Sequence, residues 1–257
     1  MRSFVRRWLP RAARSVLWGD REQWGLAVKE EDPCWIEWQR TYGEFYAANQ
    51  RQGVGGSVND AGYRVMQNVD LTGKTVLEIG AGDIRHLKYL KGKPKEYIIA
   101  DVSEEMMGFA ANKLTEKGIP YESVFVARNQ ALPIESSSVD VVVSFYSLEH
   151  LYPLEPYLQD MCRVLKPGGL LIGAVPSEGG LAWGLGRMLT SRRWFKKNTN
   201  IDPDKIICWE HPNYADHLFA EMDRLFVRKD VKFWPLGVPL LDINLILSFQ
   251  YIKSEDS

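Results

Sequence analysis

The sequence predicts a doubly wound α/β fold: a mostly parallel seven-stranded sheet with an antiparallel last strand and helices on both faces. Three observations carry that expectation. From Lys74 onward, short apolar runs alternate with helical patterns. One run, Val139–Phe145, is β-branched and apolar on both faces, as a central parallel strand must be. The stretch Val76–Leu87 (VLEIGAGDIRHL) passes from strand through Gly80 and Gly82 into a helical pattern. That is the form of a ligand-binding turn at a strand's carboxyl end.

The elements follow in order. Residues 1–70 read as an N-terminal helical extension or lid, rich in Trp24, Trp35, Trp38, Tyr42 and Tyr46. Pro10 divides its first part into two short helical pieces. Gly53–Ser57 reads as a flexible joint. In residues 71–257, Thr75–Ile79 is the first strand and Arg85–Lys91 a short helix. Tyr97–Ala100 is the second strand, and Ser103 caps a helix reaching Lys117, with Glu104 and Glu105 in its first turn. Gly118 stops that helix. Tyr121–Val126 and Val139–Phe145 are the next strands, followed by a helix over Pro153–Leu165 and a strand over Leu170–Val175. The alternation then breaks. Residues 176–225 read as an insertion over one end of the sheet, before two closing strands at Val227–Phe233 and Asn244–Ile252.

Composition narrows the function. With 32 Lys and Arg against 33 Asp and Glu, the formal net charge is −1, which argues against a dedicated nucleic-acid binder. Cys34, Cys162 and Cys208 lie far apart, as free thiols of a reducing, cytoplasmic compartment do. Neither they nor the four histidines show a metal-binding spacing, so no metal is expected. Arg2, Arg6, Arg7, Arg11 and Arg14 interleave with Phe4, Trp8 and Trp18. Arg11 and Arg14 interrupt any secretory apolar core. This segment suits either an N-terminal helix packed on its own domain or peripheral contact with the inner face of a membrane. A second basic and aromatic run, Arg187–Lys197, is compatible with a phosphate-bearing acceptor, a lipid surface or a merely solvated face.

The chemistry concentrates at the strand ends. Gly80 and Gly82 allow backbone to approach a ligand closely. Asp101, ending the second strand, is placed to accept both hydroxyls of a ribose. A dinucleotide site would need a third glycine where Ile84 stands, and Glu78 would repel a pyrophosphate while suiting a cationic amino group.

On these residues the chain resembles the class I S-adenosylmethionine-dependent methyltransferases of the bacterial small-molecule type, with a Rossmann-like sheet. The resemblance spans about residues 74–176. It rests on Val76–Gly82, Ala100–Ser103, Ala131–Ile134 with Ser138–Val142, Ser147–Leu151 and Arg163–Leu171. It implies S-adenosylmethionine as cofactor, with Gly80, Ala81 and Gly82 beside its methionine part and Glu78 near its ammonium. Asp101 would hold the ribose, Val102 the adenine face, Asn129 and Gln130 the adenine edge, and Phe145 the methionine site. The implied reaction is methyl transfer to a small-molecule or lipid- or saccharide-linked acceptor, with oxygen as the expected atom. A non-catalytic binding or scaffold protein of the same fold is the other reading. His150 is the candidate general base, and Tyr146, Trp209 and His211 are candidate acceptor contacts. Two positions depart from the family pattern: Ile84 replaces a glycine or small residue, and Arg128 stands where an acid is common.

Overall fold

The computed structural model describes residues 2–49, 53–128 and 130–255. Seven strands form one sheet: β1 (Thr75–Ile79), β2 (Glu96–Asp101), β3 (Tyr121–Phe125), β4 (Val139–Phe145), β5 (Leu165–Pro176), β6 (Val227–Trp234) and β7 (Ile246–Ile252). Their order is β3-β2-β1-β4-β5-β7-β6. Strands β1 to β5 pair parallel, and β7 runs antiparallel to both β5 and β6. The strand order reverses between β1 and β4, so their carboxyl ends open the crevice where such sheets bind ligands. Almost every residue of β4 is buried, in line with its two-sided apolar pattern.

The N-terminal region is helical, with α1 (Val5–Trp8), α2 (Arg11–Trp18), α3 (Arg21–Trp24), α4 (Pro33–Asn49) and α5 (Gly53–Tyr63). Pro10 separates α1 from α2 and sits at the N-cap of α2. Gly53–Ser57, read from sequence as a joint, form the first turn of α5 instead, because packing of that helix against β5 and β7 outweighs the low helix propensity of its glycines. The helix α6 (Glu104–Glu116) begins as expected, with the Ser103 hydroxyl accepting from the Met106 N–H at 3.3 Å. The short helix expected over Arg85–Lys91 is a five-residue 3₁₀ turn, Arg85–Tyr89. The β1–β2 crossover therefore presents no α-helix N-terminus to the crevice.

Helix α7 (Leu154–Val164) covers one sheet face, and β5 begins directly after it. Lys166–Gly169, between the helix and the strand expected from sequence, lies within β5. The insertion consists of α8 (Leu181–Leu189), α9 (Ser191–Asn198) and α10 (Pro203–Glu210), and α11 (Ala215–Leu225) then leads into β6. Two large clusters of buried apolar side chains flank the sheet. A third joins the N-terminal helices to the insertion through Trp35, Trp38, Phe195, Ile206 and Trp209. The two segments outside the αβ alternation thus share one core.

Candidate active site at the switch point

The loop after β1 is built around two glycines in the left-handed region that play different parts. Gly80 has φ +67°, and a Cβ there would stand 2.4 Å from the Ser147 Cβ, so it permits the β1 and β4 ends to close on one another. The Ser147 hydroxyl locks that contact by donating to the Ile79 carbonyl at 2.9 Å. Gly82 has φ +53° and faces open space, the room a ligand would occupy. Ile84 also adopts the left-handed conformation, at φ +37°, with its side chain buried. A β-branched residue is strained there. It is held because its side chain belongs to the cluster that includes Leu87, Met107 and Leu114.

Glu78 is buried beneath this loop. Its Oε2 accepts from the Tyr97 hydroxyl at 2.5 Å and lies 3.5 Å from His86 Nε2. Burial pushes the Glu78 carboxyl well above the usual carboxylate range; the Tyr97 hydrogen bond opposes this, and the charges of Asp101 and Asp83 add to it. Burial, with the charge of Lys113, lowers His86 to about 3, so His86 is neutral. The carboxyl is met by a phenol and a neutral imidazole, neither of them a cation.

Asp101 stands at the end of β2. Its Oδ1 accepts from the Ser103 N–H at 2.9 Å and its Oδ2 more weakly from the Gly82 N–H at 3.4 Å. Burial raises its pKa, and those backbone bonds hold it down in part. Val102 beside it is exposed and Ala81 is buried. Gln130 lies on the exposed loop after β3, and Asn129 falls outside the described residues. Phe145, buried at the end of β4, packs against His86 at 4.9 Å and Tyr63 at 5.0 Å between ring centroids. Glu78, Gly82, Asp101, Val102 and Phe145 thus come from four neighbouring strand ends or loops. A buried carboxyl lacking a cation, an open glycine and an exposed apolar residue beside a ribose-type acid fit a ligand carrying an ammonium and a ribose. A shallow surface hollow of about 430 Å³ over Ile84, Lys88 and Lys113 includes none of those five residues.

The departure at Arg128 has a structural reason. Its guanidinium lies 5.4 Å from the centroid of the Trp35 ring on α4, so it ties the loop after β3 to the N-terminal helices.

A second cluster gathers beyond the ends of β4 and β5. Glu149 and His150 lie in the 3₁₀ turn Leu148–His150, Glu178 follows β5, and Glu210 and His211 end α10. Asn213 binds the two parts together by donating to the Leu151 carbonyl at 2.5 Å and the Leu148 carbonyl at 3.2 Å. Glu178 receives Arg187 on both oxygens, at 2.7 and 2.6 Å, and the Trp183 indole at 2.9 Å. Burial alone would raise Glu178, but Arg187, His211 and Arg21 outweigh it and hold it at about 2. His150 lies 3.1 Å from Glu210 and 4.6 Å from the His211 ring. Burial would lower His150, yet Glu210 and Glu149 lift it to about 9. His211 is pushed down to about 4 by burial and by the charges of Arg187 and His150. The two rings therefore sit in contact with opposite protonation at neutral pH. Burial raises Glu149 to about 7, and its Oε2 has no hydrogen-bond partner.

The structure therefore brings His150 and His211 together, and places Glu149 beside them as a poised carboxyl that the sequence reading passed over. Its signal was faint: one acid next to a histidine after a central strand. Trp209 does not reach this cluster. It is buried in the core shared by the N-terminal helices and the insertion, edge-on to Trp35, with its indole donating to the Trp24 carbonyl at 3.3 Å. Tyr146 has φ +55° and turns its hydroxyl to the Asn59 carbonyl at 2.7 Å, against α5. Arg187 and Phe195 are buried, so the run 187–197 is not the continuous basic–aromatic surface expected of it. Among the described residues no group of three or more His, Cys, Asp or Glu is placed to hold a metal, and no helix is long and apolar enough to cross a membrane.

Residues 77–173 match a family model described as a methyltransferase domain. A ubiquinone/menaquinone biosynthesis C-methyltransferase, UbiE, of Yersinia pestis is 36% identical over 104 residues, 39% of this chain and 41% of that protein. The match thus spans less than half the length of that relative. Among solved structures, an S-adenosylmethionine-dependent methyltransferase from Aquifex aeolicus superposes with a TM-score of 0.53 at 18% identity, over 82% of this chain and 97% of that one. The CurJ carbon methyltransferase does so with a TM-score of 0.58 at 16% identity, over 95% of this chain and 68% of that one. The fold is the class I methyltransferase fold.

Proposed function

We propose that this chain, whose residues 77–173 carry the methyltransferase-domain pattern on a class I methyltransferase fold, moves a methyl group from S-adenosylmethionine to a small-molecule or lipid-linked acceptor. The observation that carries the proposal is Glu78, a buried carboxyl without a cation, set beside Asp101 at the switch point. The cofactor would supply an electrophilic methyl on a sulfonium, and the protein's task is then alignment and proton removal. Glu78 would hold the ammonium, Asp101 the ribose hydroxyls, Val102 an adenine face, and Gln130 would offer backbone to the adenine edge. Phe145 would wall the methionine part.

On the acceptor side, Glu149 is the better base than the His150 expected from sequence. An imidazolium at about 9 has no lone pair to offer at neutral pH, whereas a carboxyl near 7 is matched to its task. In that role the imidazolium of His150 steadies the Glu149 carboxylate, which takes the proton that the acceptor loses on methylation and becomes neutral as the sulfonium charge is lost. The likeness to UbiE, a C-methyltransferase, and to CurJ, a carbon methyltransferase, favours carbon as the acceptor atom over the oxygen expected from sequence. Residues 1–70 and the insertion at about 176–225 form the lid in this reading, supported by their shared core and by Arg128 on Trp35.

Ile84 favours a second reading, a binding or scaffold protein of the same fold, because it fills the position where a small residue gives the ligand room. Calorimetry with S-adenosylmethionine and S-adenosylhomocysteine decides. Micromolar binding of either supports the cofactor site, and binding of neither defeats the enzyme reading and leaves the scaffold. Turnover of methyl-labelled cofactor by acceptor extracts then separates enzyme from scaffold.

A further inference from the structure

The charges of this near-neutral chain are not spread evenly. Three segments, residues 1–19, 180–201 and 231–241, hold eleven of the 32 Lys and Arg and none of the 33 Asp and Glu. They lie far apart in sequence, yet the fold draws them to one carboxylate. Asp242 Oδ2 accepts from the N–H groups of Phe4 at 2.7 Å and Val5 at 3.1 Å, and its Oδ1 accepts from the Ser3 hydroxyl at 2.7 Å and the Leu181 N–H at 3.3 Å. Asp242 thus pins the start of α1, the start of α8 and the loop before β7 together. Helix α8 also packs on α2.

Each joined segment leaves large apolar side chains in water. Phe4 and Trp8, one turn apart on α1 with centroids 6.5 Å from each other, are 71% and 79% exposed. Leu185, Met188 and Leu189 form an exposed stripe on α8, opposite the buried Gly184 and Arg187. Leu236, Val238, Leu240 and Ile243 are exposed on the loop before β7. Isolated exposed apolar residues are ordinary, but a gathering of this kind marks an interaction surface.

We propose that this face, centred on Phe4, Trp8, the α8 stripe and the loop 236–243, docks on an anionic lipid bilayer. The charge pattern selects that occupant. Arg2, Arg7 and Arg14 lie on the same segment as the exposed aromatics, and Arg193, Lys196 and Lys197 follow the α8 stripe on α9. Acid-free, cation-bearing segments with exposed Trp and Phe suit the boundary between headgroups and acyl chains, where aromatic rings insert and arginines meet phosphates. A second copy of this chain would bring cations against cations across the same face. The Arg6 guanidinium donates to the Gly179 carbonyl at 3.3 Å, and Trp18 donates to the Gly180 carbonyl at 3.1 Å. The docking face therefore adjoins the loop carrying Glu178, and so the acceptor cluster.

Flotation of the full chain with vesicles tests this without reference to catalysis. The chain binds phosphatidylcholine vesicles containing phosphatidylglycerol, and binding falls at least tenfold on pure phosphatidylcholine or in high salt. Phe4→Ser with Trp8→Ser lowers binding at least tenfold, while Phe125→Ser, an exposed control on the edge strand β3, leaves it unchanged. Circular dichroism and a thermal melt establish that the double variant folds. Because the two serine substitutions keep every cation, an Arg7→Glu variant that weakens binding independently supports the electrostatic part. Absence of binding to anionic vesicles overturns the proposal, as does unchanged binding by the double variant. A dimer in sedimentation velocity that the double variant dissociates overturns it in favour of self-association.

Discussion

Replacing Arg187 by Met tests the cluster of Glu149, His150, Glu178 and His211 at its most buried point. Glu178 and Arg187 are both buried and meet through two short contacts. The carboxyl is held at about 2 against an ordinary 4.5. At about 1.4 kcal/mol per pH unit, its favourable partners together offset burial by about 3 kcal/mol more than needed. Arg187 leads those partners, and breaking a buried pair from one side costs about 3–5 kcal/mol. Methionine keeps much of the volume, so the loss is mainly charge. We expect Arg187→Met to destabilise the protein by about 3 kcal/mol at pH 7, lowering the midpoint of thermal unfolding by about 6–12 °C. The pH dependence gives a second signature. A carboxyl whose folded pKa is depressed contributes stability in full above its unfolded value and loses it as pH falls through the folded value. The gap between wild type and variant should therefore hold from pH 7 down to about 4.5 and narrow below that, toward pH 2. His211, relieved of the neighbouring guanidinium, should titrate at higher pH by NMR. Glu178→Gln combined with Arg187→Met should recover at least half the loss, because no unpaired charge is left behind. A loss below about 1 kcal/mol, or a double variant equal to the sum of the single variants, would refute the account.

Three further outcomes follow from the same geometry. Asp101→Ala should weaken S-adenosylmethionine binding by about 1–3 kcal/mol in calorimetry, and unchanged affinity would place the ribose elsewhere. Glu149→Gln should lower kcat about 100-fold or more while leaving cofactor affinity intact, and should abolish an acidic limb near pH 7 in the rate profile. The folded pKa of Glu149 is raised, so the wild type loses stability between pH 4.5 and 7, and chemical denaturation of this variant should show that slope reduced. Ile84→Gly removes about 1–2 kcal/mol of left-handed strain but also a buried side chain worth about 2–5 kcal/mol. Net destabilisation is expected in denaturant titration, together with equal or tighter cofactor binding; a more stable variant would mean that strain dominates.

What could be read from the residues alone was whatever local pattern encodes. Strands β1, β2 and β4 announce themselves by short, largely apolar runs, Ser103 by its place before an acidic first turn, and the candidate cofactor residues by their position at the ends of β1 and β2. Strand ends converge in any doubly wound sheet, so Glu78 and Asp101 could be paired before any coordinate was known. Packing decided the rest. Gly53–Ser57 became helix because α5 has a sheet to lie on, and Ile84 took a left-handed conformation because its side chain is buried. Arg187 looks in sequence like its basic neighbours Arg192 and Arg193, yet it is buried on Glu178. Its charge adds to burial in keeping His211 neutral, a relation no spacing predicts. The union of Phe4 with Asp242 bridges 238 positions. Composition fixes how many charges and aromatic rings a chain carries; only the tertiary fold assigns each to water, to a partner or to a shared face, because desolvation and pairing act between residues the chain order keeps apart.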